Sequence, residues 1–164
     1  ATLDLYPKGR LAVVAVADAD WAGIPERRSV TGGVLQLSGC CVLSWSRTQS
    51  AYALSSCEAE LYAMGSAAAE ALGAQAFLVE QNLVREPPVV AGDSSSALQL
   101  AGRRGQGRLK HVEVRLLALQ QWCQEGRLRL RKVASADNEA DLMTKHVPRA
   151  TWKWLAGRIG LSVL

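Results

Sequence analysis

The chain has 164 residues, 49% of them hydrophobic and 21% charged, the size and balance of one compact domain, which argues against disorder in the body of the chain. Nineteen Lys and Arg against fifteen Asp and Glu give a net charge of +4, too mild to decide between a polyanionic partner and a solubilising surface. No apolar run reaches the roughly 18 residues that a membrane-spanning helix needs, and the start lacks the basic leader and apolar centre of a signal peptide. The abrupt ends suit a piece cut from a longer polyprotein or enzyme.

Taken in chain order, Leu11–Ala17 is short, apolar and rich in β-branched residues, and reads as a buried strand with Asp18 at its end. Residues 21–28 are a polar connection. Gly32–Leu37 and Cys40–Ser46 read as two further strands joined by a hairpin turn at Ser38-Gly39. Three neighbouring strands with short joints predict an antiparallel meander.

The period then changes. Ser55, followed three places later by Glu58, has the spacing of a capping box. An alanine-rich helix is predicted from there to about Val84, packing through Leu61, Met64, Ala68, Leu72, Ala76 and Val79. Pro87-Pro88 closes it. Val89–Gly92 is a fourth strand leading to Asp93, and one of Ser94, Ser95 and Ser96 caps a short helix over Ala97–Ala101. A helix over Val112–Glu125 stops at Gly126. Leu128–Val133 is a fifth strand with its basic residues turned outward. Asp137 or Asn138 caps a helix through Glu139–Lys145, and Thr151–Ile159 is a terminal helix packed through Trp152, Leu155 and Ile159. This order of elements argues for one mixed sheet covered by helices.

Charge is unevenly placed. Arg103, Arg104, Arg108 and Lys110 fall in a glycine-rich stretch without an acid, and Arg127, Arg129, Arg131 and Lys132 form a second basic cluster. Both could contact phosphates, and both could equally be solvated surface. The four cysteines, Cys40, Cys41, Cys57 and Cys123, show no CxxC pair or zinc spacing, so free thiols are expected, with Cys57 and Cys123 packed in the core. Trp21, Trp45 and Trp122 are likewise expected in the core.

Four carboxylates stand out by position. Asp18 and Asp93 follow apolar strands, while Glu60 and Asp141 lie in the first turns of helices. If the first and fourth strands are parallel neighbours, Asp18 and Asp93 meet at their carboxyl ends, where ligands of such sheets sit. Two carboxylates about 4 Å apart repel by roughly 4 kcal/mol at an effective dielectric near 20. A cation or a shared proton must compensate, and a hard cation such as Mg²⁺ takes oxygen ligands. A pair of such ions can activate water and orient a phosphodiester. On spacing alone, Asp20 rivals Asp18 and Glu58 rivals Glu60, and each acid could instead be an ordinary surface or helix-start carboxylate.

Several segments resemble one family. Asp18–Gly23, Arg27–Gly32, Leu43–Ser46 with Gln49, Ala53–Ala63, Gly92–Ala97, Leu109–Arg115 and Asp137–Lys145 are similar, in order, to the ribonuclease H domain of copia-type LTR retrotransposon polyproteins. The matches run from about residue 12 to 148. The resemblance implies an α/β RNase H-like fold, a five-stranded mixed sheet of order 3-2-1-4-5 with helices on both faces. One domain is expected over residues 1–164, with a core of about 10–148 and a C-terminal helix in 149–164.

The resemblance also implies a catalytic and metal-binding set of Asp18, Glu60, Asp93 and Asp141. Two Mg²⁺ ions, replaceable by Mn²⁺, would serve hydrolysis of the RNA strand of RNA·DNA hybrids during reverse transcription. Implied partners are the hybrid and an upstream reverse transcriptase domain; no membrane is involved and the isolated domain is expected to be a monomer. The expected place is the cytoplasm, in a retrotransposon particle, or the nucleus for a host-captured copy. Arg27, Arg28, Ser56, Ser94, Arg104, Arg108 and Lys110 are the candidate nucleic-acid contacts.

There are departures from the family pattern. Ser94 stands where Asn is usual, Leu109 where Thr is usual, and His146-Val147 intervene before Pro148. The loop from Lys132 to Asn138 lacks the histidine of cellular enzymes. Two other readings therefore stand beside the nuclease: a catalytically weak or inactive RNase H-like domain that binds nucleic acid or scaffolds a polymerase, and an RNase H-like DNA nuclease or strand-transfer enzyme.

Overall fold

The computed structural model describes residues 11–103 and 114–161. Its elements are β1 (Val13–Asp20), β2 (Val30–Leu37), β3 (Cys40–Thr48), α1 (Ser56–Glu80), β4 (Val89–Gly92), α2 (Ser95–Ala101), α3 (Val114–Gln124), β5 (Arg129–Lys132) and α4 (Arg149–Arg158), with 3-10 turns at Pro25–Arg27, Ser135–Asp137 and Glu139–Met143. The five strands form one sheet of order β3-β2-β1-β4-β5. The β1–β2 and β2–β3 pairs are antiparallel, and the β1–β4 and β4–β5 pairs parallel. This is the α/β RNase H-like fold that the resemblance implied.

Side chains along a strand alternate between faces. On β1, Val13, Ala15, Ala17 and Ala19 join the main core with Ala59, Ala63, Ala67 and Ala71 of α1. Small residues on both elements let the helix lie close to the sheet. Val14 and Val16 belong to the opposite face, where Val16 packs with Ala91 and Ala140. Asp18 and Asp20 continue this second row, so the carboxylates of β1 emerge on the side away from α1's alanine stripe.

The strand runs further than its apolar residues suggest. Asp18 pairs with Gly32 and Asp20 with Val30, so Asp18 lies inside β1 and Asp20 ends it. Strand β2 begins at Val30 because it must pair with this extension. The hairpin falls where expected: Ser38 (φ 50°) and Gly39 (φ 87°) both adopt left-handed conformations, as a two-residue turn matching strand twist requires.

At the start of α1, the Ser55 hydroxyl accepts the Glu58 N–H at 3.2 Å, while the Glu58 carboxylate accepts the Leu54 N–H at 2.8 Å. The helix ends at Glu80, short of Val84, and Asn82 takes a left-handed φ of 58° just beyond. Ala76 and Val79, expected inside, are exposed, and Leu78 is buried instead. Steps of four from Ala68 to Leu72 to Ala76 drift about 80° around the helix, off the face that Ala68, Ala71 and Leu78 keep. Gly126, at φ 70°, follows α3 as expected.

Two C-terminal expectations change. Residues 139–145 form only a 3-10 turn, Glu139–Met143, whose cap is Asn138. The buried Asn138 accepts the Ala140 N–H at 3.3 Å as a cap, and the Thr144 hydroxyl bonds across to Asp18. In α4, Leu155 and Ile159 are buried with Ala156, whereas Trp152 is 40% exposed. Trp45 is buried and Trp122 partly so, but Trp21 is 48% exposed, its indole N–H donating to the Ala53 carbonyl at 3.0 Å. Cys57 and Cys123 pack against the core as free thiols.

Candidate metal centre

The parallel register of β1 and β4 pairs Val16 with Ala91. Two residues further on come Asp18, within β1, and Asp93, just past the end of β4, side by side at the carboxyl ends of these two parallel strands. Glu60 approaches from the second turn of α1. One oxygen from each of Asp18, Glu60 and Asp93 lies within 4.8 Å of the others. Asp18 is fully buried, and Glu60 and Asp93 are half-buried.

Asp141 does not join that group of three; it stands beside it through Lys145. The Lys145 ammonium donates to Asp18 Oδ1 and to Asp141 Oδ1, each at 3.1 Å. The Thr144 hydroxyl donates to the second Asp18 oxygen. Thr144 and Lys145 belong to a matched segment, yet sequence reasoning gave them no role. The signal available was that Lys145 lies four residues after Asp141, a spacing that pairs opposite charges on one face of a helical turn.

Gly32 makes room for this turn. A Cβ there would lie 2.8 Å from the Met143 Cβ and 2.9 Å from the Ala140 carbonyl oxygen. The bare backbone of β2 therefore lets residues 139–144 settle over the sheet beside Asp18.

The electrostatics are those of crowded acids. Burial pushes the Glu60 carboxyl up to about 8, Asp18 and Asp93 add to the rise, and Lys145 and the Ala19 backbone oppose it. Burial and Asp18 likewise raise Asp141 to about 6, against the pull of Lys145. Burial disfavours the charge on Lys145, but the carboxylates of Asp18 and Asp141 outweigh it and raise its pKa.

The two rivals are excluded from the convergence for different reasons. Glu58 is committed to the helix start, accepting from the Leu54 N–H and the Tyr62 hydroxyl at 2.8 and 3.0 Å. Asp20 folds its carboxylate against the turn at Gly23, where an added Cβ would come within 1.8 Å of it.

The candidate nucleic-acid residues are dispersed. Arg27 is exposed beside the carboxyl end of β1. Arg28 is engaged internally: its guanidinium donates to the carbonyls of Gln49 and Ser50 and lies 5.0 Å from the Tyr52 ring centroid. Ser56 is exposed at the first position of α1, and Ser94 caps α2 by accepting the Ala97 N–H at 3.3 Å. Arg104, Arg108 and Lys110 lie outside the described residues. In the second basic cluster, Arg129 pairs with Glu86 at 2.9 Å, and Lys132 donates to Ser95.

The donor set fits a hard divalent cation. Three carboxylate oxygens converge without a thiolate or imidazole among them, and a positive group already sits against the same buried Asp18. When bound, such a cation would supply a polarised water and charge neutralisation at a phosphodiester.

No protein-family model matches the chain. Curated relatives do. The chain is 34% identical over 146 residues, 88% of its length, to the retrovirus-related Pol polyprotein from transposon TNT 1-94 of Nicotiana tabacum. It is 30% identical over 93% of its length to the corresponding polyprotein from transposon RE1 of Arabidopsis thaliana. It spans 11% of the length of each of these relatives. Among solved structures, LC11-RNase H1, isolated from compost, superposes with a TM-score of 0.64 at 15% identity, over 81% of this chain and 92% of that one. A structure of LC11-RNase H1 in complex with RNA/DNA hybrid superposes with a TM-score of 0.54 at 17% identity, over 80% and 93%. Sequence and fold thus agree along most of the chain: it is an RNase H-like domain homologous to the retrovirus-related Pol polyproteins of copia-type LTR retrotransposons.

Proposed function

We propose that the chain is a metal-dependent endoribonuclease that cuts the RNA strand of RNA·DNA hybrids during reverse transcription. The observation that carries this reading is the convergence of Asp18, Glu60 and Asp93 at the carboxyl ends of two parallel strands. In it, these three carboxylates hold Mg²⁺ or Mn²⁺, and Asp141 completes a set of four that serves two ions. Glu60 must lose its proton to become a ligand. Hydrolysis then needs no protein nucleophile, since water attacks the phosphodiester in line.

The hybrid would cross the carboxyl end of the sheet, with Arg27, Ser56 and Ser94 at its edge. Arg104, Arg108 and Lys110 are added from sequence. Such contacts position the duplex, and the 2′-hydroxyls and A-like shape of the RNA strand select it. The polyprotein relatives and the LC11-RNase H1 complex with RNA/DNA hybrid support this substrate. An upstream reverse transcriptase domain and action inside a retrotransposon particle belong to the same proposal.

A second reading keeps the fold and the hybrid but little or no catalysis. Asp141 lies outside the group of three and is tied to Asp18 by Lys145, which favours it. Labelled RNA·DNA hybrid, duplex DNA and single-stranded RNA, each with Mg²⁺ and with chelator, separate the two. Metal-dependent cutting of the hybrid's RNA alone is the expected result. Hybrid binding without cutting establishes the second reading, and cutting of duplex DNA overturns both.

A further inference from the structure

We propose that the Lys145 ammonium is the resident cation of the Asp18–Asp141 half of the centre. The chain then takes one divalent ion readily at Asp18, Glu60 and Asp93, and a second only by displacing that ammonium. This inference rests on the metal-centre reading above and concerns how that centre fills.

Three observations carry it. First, Lys145 Nζ sits 3.1 Å from one oxygen of each acid and so bridges Asp18 and Asp141. Second, the turn builds this position. The Lys145 N–H donates to the Asp141 carbonyl at 3.0 Å, and the neighbouring Thr144 hydroxyl holds the other Asp18 oxygen. Asp18 is thereby oriented with the ammonium in contact. Third, the lysine side chain is 39% exposed while that of Asp18 is fully buried. The ammonium enters from the solvent side, so its flexible stem can swing back into water without disturbing the core.

The physical logic is compensation. A buried carboxylate left without a partner is costly, so a metal-free chain benefits from a cation of its own at Asp18. A divalent ion brings twice the charge and binds carboxylates at shorter range. It can therefore replace the ammonium, but must first overcome an ion pair already made. The ion that binds Asp18, Glu60 and Asp93 shares Asp18 with the ammonium, but among the described residues no basic side chain forms an ion pair with Glu60 or Asp93.

The test is a Mn²⁺ titration by calorimetry on the whole chain and on Lys145→Met. The unaltered chain should show a second ion at least about tenfold weaker than the first, and Lys145→Met should tighten that second ion by about tenfold or more. Lys145→Gln, which keeps a polar tip, should behave the same way and serves if the methionine variant folds poorly. First-ion binding that persists while the second is unchanged or weakened in both variants overturns the inference and leaves the metal centre standing. Absence of Mn²⁺ binding in every protein, each folded by circular dichroism, overturns the metal centre and this inference together.

Discussion

Arg158 on α4 donates from Nε to the buried Glu139 carboxylate at 2.8 Å, and so ties the last helix to the turn that carries Asp141. The same guanidinium approaches Asp137 at 3.7 Å and lies 5.8 Å from the Trp154 ring, whose indole N–H also donates to Asp137 at 3.2 Å. Helix α4 therefore acts as a clasp on residues 137–141. Because Glu139 is almost fully buried, Arg158→Ala should leave an unpaired buried carboxylate. The partial exposure of Arg158 tempers the cost to about 2 kcal/mol. Urea unfolding measures it, and a loss below about 0.5 kcal/mol would mean that the clasp is ornamental.

Two adjacent glycines of β2 make a contrast. A Cβ at Gly33 would come within 2.1 Å of the Trp45 ring, on the α1 side of the sheet, whereas one at Gly32 would strike Met143 and the Ala140 carbonyl. Both Gly32→Ala and Gly33→Ala should destabilise the chain by about 1–3 kcal/mol through overpacking. Only Gly32→Ala should also weaken Mn²⁺ binding, because only it displaces the turn beside Asp18. Equal metal affinity in the two variants would contradict this division of faces.

The raised Glu60 carboxyl predicts a pH dependence of the metal-free chain. Its folded value of about 8 lies above the ordinary 4.5, so between those values the folded state holds a proton that the unfolded state has lost. The stability contributed is complete below about pH 4.5 and is lost as pH rises through about 8. A divalent cation opposes that loss by binding the ionised form. Mn²⁺ should therefore raise the melting temperature more at pH 8 than at pH 6, and Glu60→Gln should flatten the metal-free dependence while removing most of the Mn²⁺ effect. A Mn²⁺ effect larger at pH 6 would contradict this.

Much of this architecture was legible in the sequence. The hairpin at Ser38-Gly39, the Ser55 cap, β4 and the stop at Gly126 each rest on local chemistry, which sequence displays directly. The extension of β1 through Asp18 to Asp20 was not legible, since it depends on pairing with β2 rather than on apolar content. Trp21 and Trp152 looked like core residues because size and hydrophobicity favour burial, but neighbours decide it. At the site, position and resemblance both picked out Asp18, Glu60 and Asp93. Spacing could not separate Glu58 from Glu60; the hydrogen bonds of Glu58 to Leu54 and Tyr62 do. Nor could it show Lys145 between two acids, because Asp18 lies 127 residues away in the chain.

Asp18→Asn and Asp93→Asn test the ligands separately from the fold. Asparagine keeps the shape of aspartate, and at Asp18 it can still accept from Thr144. Each should lower Mn²⁺ affinity by about a hundredfold or more with an unchanged circular dichroism spectrum. Unfolding of both variants would instead assign these acids to structure.

The most direct measurement is anomalous diffraction from a crystal soaked in Mn²⁺. A peak in coordination contact with carboxylate oxygens of Asp18, Glu60 and Asp93 is the predicted result. A well-ordered structure without a peak at those three side chains, or with Mn²⁺ bound only elsewhere, would contradict the metal centre.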